Sequence, residues 1–262
     1  MPDSFSKLVS VMARLRAADG CPWDREQTLQ TLRSYLLEET YETLDAIDRG
    51  DMAALREELG DLLLEVVFLA QVCSERGFFT IEDVARSIHD KLVRRHPHVF
   101  GEEKADGARE ALGRWESVKS VEREAAGATS VLSGVPETLP ALLRAFRISS
   151  KAAMVGFDWA GVEQVVDKVE EELRELRSAL AAGDAKATAE ELGDVLFAAA
   201  NVGRHAGTDP EFALQAANRK FSERFRRIEE TLLRQGKKPS TELREEMERL
   251  WDEGKAHSRG SR

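Results

Sequence analysis

Five carboxylates occur twice in this chain at the same spacing. Glu38, Glu39, Glu42, Glu58 and Asp61 form one set, and Glu171, Glu172, Glu175, Glu191 and Asp194 form the other, each 133 residues further on. The turn between the acidic pairs recurs too, Arg49-Gly50-Asp51 against Ala182-Gly183-Asp184. Side chains three and four positions apart share one face of a helix. Glu172 and Glu175 therefore project together, with Glu171 on the adjoining edge, and Glu191 and Asp194 lie one turn apart. A tight turn at Gly183 makes the two segments antiparallel neighbours. Glu175 and Glu191 are equally far from that turn and so face each other. The geometry predicts that Glu172, Glu175, Glu191 and Asp194 converge, and likewise Glu39, Glu42, Glu58 and Asp61 in the first copy. Converging like charges are costly unless a cation offsets them. An all-oxygen donor set suits Mg²⁺, with Mn²⁺ as the alternative. Zinc is disfavoured because neither histidine nor cysteine sits beside the motif. Mg²⁺ held by carboxylates commonly takes phosphate oxygens as further ligands, and it can polarise a phosphoryl group and activate water. Solvated helix faces are the ordinary reading of paired glutamates in a chain with 33% charged residues. That all five acids match while most other surface positions differ weighs against it.

Phosphates also need cationic partners, and these recur downstream. Lys220 and Arg224, four apart, share a helical face, and Lys91 and Arg95 repeat the pair. Near the end of each repeat a tryptophan precedes a lysine by one turn, Trp251 with Lys255 and Trp115 with Lys119. Tryptophan offers a flat face to a base, and the lysine can meet a phosphate. Each pair alone is common surface or core chemistry; their recurrence beside a duplicated acid set favours a ligand. His96 and His98 flank Pro97 without a third metal ligand nearby, and read as packing and capping residues. No Gly-x-Ser-x-Gly element and no glycine-rich phosphate loop is present.

The elements that must hold these residues read as helices throughout. Apolar residues recur with helical period over 5–18, 27–49, 51–74 and 81–95, with a further helix around Trp115 over 109–126. The second half repeats the plan over 138–153, 161–182, 185–205, 210–234 and 240–256, and 97–108 reads as a loop. Only seven prolines interrupt 262 residues, and the fold class expected is all-α. The small, polar stretch 127–136 separates a first repeat, 1–126, from a second, 137–256, and 257–262 is expected to be a disordered tail. A net charge of −10 argues against a nucleic-acid partner. No run approaches the ~18 apolar residues of a membrane helix. Cys21 and Cys73 do not form a disulfide framework, and the cytoplasm is the expected location. The apolar stripes at 55–70 and 192–199 call for partners, which a second copy would supply.

Taken together, the doubled Glu-Glu-x-x-Glu and Glu-x-x-Asp motifs, Cys21-Pro22-Trp23-Asp24, Arg95-His96-Pro97-His98-Val99-Phe100 and Val155-Gly156-Phe157-Asp158-Trp159 resemble the two-repeat bacterial form of the MazG family, over nearly the full chain. The resemblance implies tandem all-α pyrophosphohydrolase units, completed by homodimerisation into a helical bundle. It implies Mg²⁺-dependent hydrolysis of nucleoside triphosphates, standard or damaged, to the monophosphate and pyrophosphate. By the same resemblance Glu172, Glu175, Glu191 and Asp194 hold metal in the second repeat, and Glu39, Glu42, Glu58 and Asp61 in the first. Lys168, Glu171, Glu190, Lys220, Arg224, Trp251 and Lys255 contact nucleotide in the second. Two departures stand out. Tyr35 takes the place of Lys168 in the first repeat, and Ala187 stands where the family pattern leads one to expect lysine, with Lys186 adjacent but turned by about 100°. The second repeat is therefore the expected catalytic centre, with Glu171 orienting water. A scaffold of this kind also suits enzymes acting on dUTP, dCTP or phosphoribosyl-ATP, and a nucleotide sensor or helical interaction protein without turnover is the reading from another class.

Overall fold

Each acid hairpin is set by one glycine and one aspartate. Gly50 and Gly183 adopt left-handed backbone, φ 67° and 68°, and end their helices by donating back to the last-turn carbonyls. Glycine meets no steric penalty in that region. Asp51 and Asp184 then cap the next helix, accepting hydrogen bonds from Ala53 and Ala54 and from Lys186 and Ala187. The chain reverses within a couple of residues, so the two long helices must pack antiparallel.

The computed structural model describes residues 4–102, 104, 106, 107, 110, 111, 113–115, 118, 119, 122 and 130–259, with side chains described as far as 255. The described residues form helices and connecting turns, with no strand among them. The chain divides into two units, Met1–Ala125 and Ala126–Arg262.

In the first unit the helices are α1 (Ser4–Leu15), α2 (Pro22–Glu26), α3 (Leu32–Arg49), α4 (Met52–Glu75), α5 (Ile81–Arg95) and the single turn α6 (Pro97–Phe100). Helix α3 pairs with α4, which also carries α1 and α5. Met12, Leu32, Val67, Phe68 and Val72 form the buried centre, with Tyr35 and Leu64 packed against it. Four boundaries differ from the periodicity reading, the first being the helix expected over 5–18, which ends at Leu15. The helix expected from residue 27 starts at Leu32, because Thr28 and Thr31 exchange hydrogen bonds between each side chain and the other's backbone N–H and hold a turn. Pro22 opens the extra helix α2, its ring fitting the first helical turn. Pro97 likewise opens α6 where a loop was expected. The helix expected over 109–126 lies largely outside the described residues; those described around Trp115 are helical.

In the second unit α7 (Ala141–Met154), α8 (Val162–Ala182), α9 (Ala185–His205) and α10 (Pro210–Arg234) are followed by a 3₁₀ turn, Thr241–Leu243, and α11 (Arg244–Arg259). Helix α9 packs on α8 and α7, and α10 packs on α7, α9 and α11. Its buried apolar residues are mostly small: Ala145, Val165, Ala179, Ala198 and Ala200, with Ile228 and Leu232 from α10. The backbone of α11 is helical to Arg259, past the expected boundary at 256, and 260–262 lie outside the described residues.

Candidate metal and nucleotide site

The acid hairpin of the second unit brings carboxylates together across α8 and α9. One oxygen each from Glu172, Glu175 and Glu191 lie within 4.8 Å of one another. Glu172 is buried at 6% exposure, whereas Glu175 is exposed. Asp194 lies outside this trio and is exposed, but its charge reaches Glu191. Partial burial, then the charges of Glu175, Glu172, Asp194 and Glu190, push the Glu191 carboxyl up. Lys168 sits one turn before the motif on α8. Its ammonium lies 2.6 Å from Glu171 and 2.7 Å from Glu172. The Lys168 hydrogen bond holds Glu171 below the usual carboxylate range, and the two glutamates hold the lysine firmly protonated.

The first unit gathers a different trio. Oxygens of Glu39, Glu58 and Asp61 lie within 4.8 Å of one another. Glu42 is exposed and outside the trio, although its charge is felt by Glu39 and Glu58. Burial, then the charges of Asp61, Glu42, Glu58 and Glu38, push Glu39 up. Tyr35, at the position matching Lys168, packs edge-on to Trp23 at 5.8 Å between ring centroids. The sequence reading also passed over Glu65. It lies on α4 one turn beyond Asp61, on the face that carries Glu58 and Asp61. Glu65 is buried at 7% exposure, and its Oε2 has no hydrogen-bond partner. Burial, then the charge of Glu39, push its carboxyl up. Its second-repeat counterpart is Ala198. Aligning the halves past the two acid motifs would have exposed that mismatch.

The cationic and aromatic residues form a second grouping in each unit. On α10 and α11, the Trp251 ring lies 5.0 Å from Phe221, with the Arg224 guanidinium at 5.8 Å and the Lys255 ammonium at 5.9 Å. Lys255 also pairs with Asp252 at 2.9 Å. Lys220 is exposed one turn before Arg224. Glu190 is exposed beside Glu191 on α9. Lys186 is exposed in the first turn of α9, next to Ala187. In the first unit Trp115 carries Arg95 at 5.3 Å and Lys119 at 4.6 Å. Arg95 is committed to Glu122 through a contact of 2.6 Å, and Arg94 shares that carboxylate. Lys91 faces a groove of 430 Å³ lined by Phe79, Asp83, Val84, Ser87 and Ile88. The described contacts join Trp251 to Phe221, Arg224 and Lys255, and Trp115 to Arg95 and Lys119.

The motif Val155–Trp159 has a structural role that spacing did not reveal. Asp158 accepts hydrogen bonds from Arg204 at 2.5 and 2.9 Å and lies 3.0 Å from His205 Nε2. It ties the α7–α8 connection to the end of α9. Arg204, then His205, hold the Asp158 carboxyl well below the usual range. In the first unit Arg16 does the equivalent work, bonding Glu75 at 2.8 and 2.7 Å and the carbonyl of Asp24.

Among the described residues, which are helical with connecting turns, two carboxylate clusters, each on an antiparallel hairpin, offer oxygen donors that could hold a hard cation. The donor set fits such an ion: three close oxygens in each hairpin, with further acids in electrostatic reach. The family model of the MazG nucleotide pyrophosphohydrolase domain matches twice, at residues 27–100 and 161–232. The chain is 47% identical to the nucleoside triphosphate pyrophosphohydrolase of Escherichia coli (strain K12), over 97% of each chain. It is 44% identical to the nucleoside triphosphate pyrophosphohydrolase/pyrophosphatase MazG of Thermotoga maritima, over 96% of this chain and 95% of the other. The Bacillus subtilis (strain 168) protein YabN is 43% identical over 98% of this chain, which spans 53% of that longer protein. The chain belongs to the MazG family, with the domain present in tandem, and is an enzyme of the phosphoanhydride-hydrolase class. No described helix is long and apolar enough to cross a membrane.

Proposed function

We propose that the chain hydrolyses nucleoside triphosphates to the monophosphate and pyrophosphate, with a divalent cation, Mg²⁺ or Mn²⁺, and that the second repeat carries the chemistry. One observation supports this above the others: the Glu172–Glu175–Glu191 trio stands beside Lys168, an ammonium within one turn of the acids. Metal ligation falls to Glu172, Glu175, Glu191 and Asp194. When bound, the ion draws charge from the phosphoryl oxygens and makes coordinated water more acidic. The remaining work belongs to side chains. Lys168, Lys220, Arg224 and Lys255 offset phosphate charge, and Trp251 offers its face to the base. Glu171 is ionised at neutral pH as glutamates ordinarily are, and once Lys168 turns from it to a phosphate its carboxylate is able to accept a proton from the attacking water. That water oxygen forms a new bond to one phosphorus of the α–β phosphoanhydride, that phosphorus loses its bond to the bridging oxygen, and the other phosphate group departs with the bridging oxygen and its electron pair, which gives the monophosphate and pyrophosphate.

The same reading makes the protein a homodimer. Leu173, Leu192 and Leu196 on α8 and α9 are exposed, as are Leu59, Leu63 and Val66 on α4. Apolar stripes of that kind ordinarily find a protein partner. Light scattering on the purified chain would return twice the monomer mass; a monomer at micromolar concentration removes the dimer.

The test of the activity is pyrophosphate release from a panel of nucleoside triphosphates with Mg²⁺, for the intact chain and for Glu171→Gln. Release that falls at least about a hundredfold in the variant supports the assignment of Glu171. Full turnover without the carboxylate removes it, and no release by the intact chain turns the reading to nucleotide binding without turnover.

A further inference from the structure

The two acid hairpins differ behind their matching motifs, and the difference bears on when each takes a cation. In the second, the Lys168 ammonium already rests on Glu172, a member of the oxygen trio. An incoming ion has to displace it, and the freed ammonium then needs a new anion, which a phosphate provides. In the first, Tyr35 replaces the lysine and is turned to Trp23. An extra carboxylate, Glu65, stands on the same face as Glu58 and Asp61, more than nine-tenths buried, with an oxygen that lacks a hydrogen-bond partner. Glu39, across the hairpin, is the charge that acts on it. A buried carboxylate oxygen without a donor, next to a convergent acid trio, is costly unless something positive fills the space. The first hairpin thus has one carboxylate more and one cation fewer than the second.

We infer that the first-repeat hairpin is a standing divalent-cation site that fills without nucleotide, with Glu65 as its inner buried carboxylate, while the second hairpin takes its cation together with a phosphate-bearing ligand. The inference rests on the reading of both hairpins as cation sites and adds an order of filling. Linkage then requires nucleotide and cation to strengthen each other's binding at the second hairpin, through Lys168, while the first behaves independently.

The experiment titrates Mn²⁺ into the full chain without nucleotide and counts free ion by electron paramagnetic resonance. The expected result is a single class of tight site that Glu58→Gln removes, that Glu65→Gln weakens about tenfold or more, and that Glu191→Gln leaves in place. Glutamine keeps the shape of Glu65, and a thermal melt of the variant confirms that it folds. A second arm does not touch the first unit: Lys168→Met exposes the second trio and adds a new class of Mn²⁺ site in the absence of nucleotide. Three results overturn the inference: no Mn²⁺ bound until nucleotide is added, a nucleotide-free site lost with Glu191→Gln instead of Glu58→Gln, or unchanged affinity in Glu65→Gln. None of these readouts uses turnover. Normal pyrophosphate release with no nucleotide-free site defeats this inference alone, and a nucleotide-free site in a chain that releases no pyrophosphate defeats only the catalytic reading.

Discussion

The two acid hairpins share a turn, a cap and five carboxylates, yet their surroundings are opposite in sign. The second is partly offset from within by Lys168, 2.6 and 2.7 Å from two of its glutamates. The first has Tyr35 in that place and gains the buried Glu65. A duplicated motif therefore does not make a duplicated site, because the ligands fix where a cation sits and the residues behind them fix what accompanies it. An ammonium that can leave for a phosphate suits turnover of a charged substrate. A hairpin without one suits a cation that stays.

The sharpest way to break this comparison is to remove one equivalent acid from each hairpin. Glu175→Ala takes a member of the second trio and is expected to lower pyrophosphate release about a hundredfold or more. Glu42→Ala, its counterpart, lies outside the first trio and is expected to cost at least about tenfold less than that. Equal losses would mean two working centres, and the contrast between the hairpins would then carry no catalytic meaning.

A second contrast lies in the clasps. Asp158 joins Arg204 and His205, whose side chains are only 12% and 13% exposed. Removing the carboxylate charge leaves a nearly buried guanidinium facing only neutral acceptors such as the Asn201 oxygen at 3.2 Å, so Asp158→Asn is expected to cost about 2 kcal/mol in chemical denaturation. Glu75→Gln in the first unit should cost about 1 kcal/mol, because Glu75 is the more exposed carboxylate, 35% against 25% for Asp158. The pH dependence follows from direction. The folded-state pKa of Asp158 is depressed below its ordinary 3.8. Its contribution is therefore fully present above that ordinary value and is lost as the pH falls through the depressed one. Wild type should lose stability relative to Asp158→Asn on acidification below about pH 4; a difference constant down to pH 2 would show that the clasp carries no charge-dependent stability.

Much of this was legible in the sequence. The helix pattern, the repeat and the convergence of the acids follow from period, glycine placement and spacing. Glu65 was not legible from motif spacing alone, because burial is a property of packing and a single glutamate on an apolar helix reads as surface. The Asp158 clasp was equally hidden, since it joins residues separated by 46 positions. The trios themselves divide differently from the fourfold sets expected: Glu42 and Asp194 are exposed, at opposite ends of the two copies of the motif. Spacing places side chains on a face but does not say which of four rotamers point inward.

Lys168 offers a more selective test of the asymmetry. Lys168→Met keeps the bulk of the side chain and removes the charge. Substrate competes with Glu171 and Glu172 for that ammonium, so kcat/KM for nucleoside triphosphate is expected to fall about tenfold. The loss should appear mostly in KM if the lysine meets phosphate already in the ground state, and in kcat if it does so only as charge develops. No change in either would leave Lys168 as a surface ion pair with the acids.

The smallest effect tests the part of the comparison in which the hairpins are alike. Asp51 and Asp184 each accept from two backbone N–H groups at the start of the following helix, at 3.0–3.1 Å. Replacing either with alanine leaves those donors to water and should cost about 1 kcal/mol. Both caps are exposed, and both follow a glycine of nearly identical φ, 67° and 68°. The two losses should therefore agree within about 0.5 kcal/mol, provided that each hairpin draws the same support from its turn. If Asp51→Ala alone becomes more costly when Mn²⁺ is present, the turn of the first hairpin is holding a loaded site together. The identical turns would then serve different ends, one to steady a bound ion and the other to let an ammonium and a substrate exchange places.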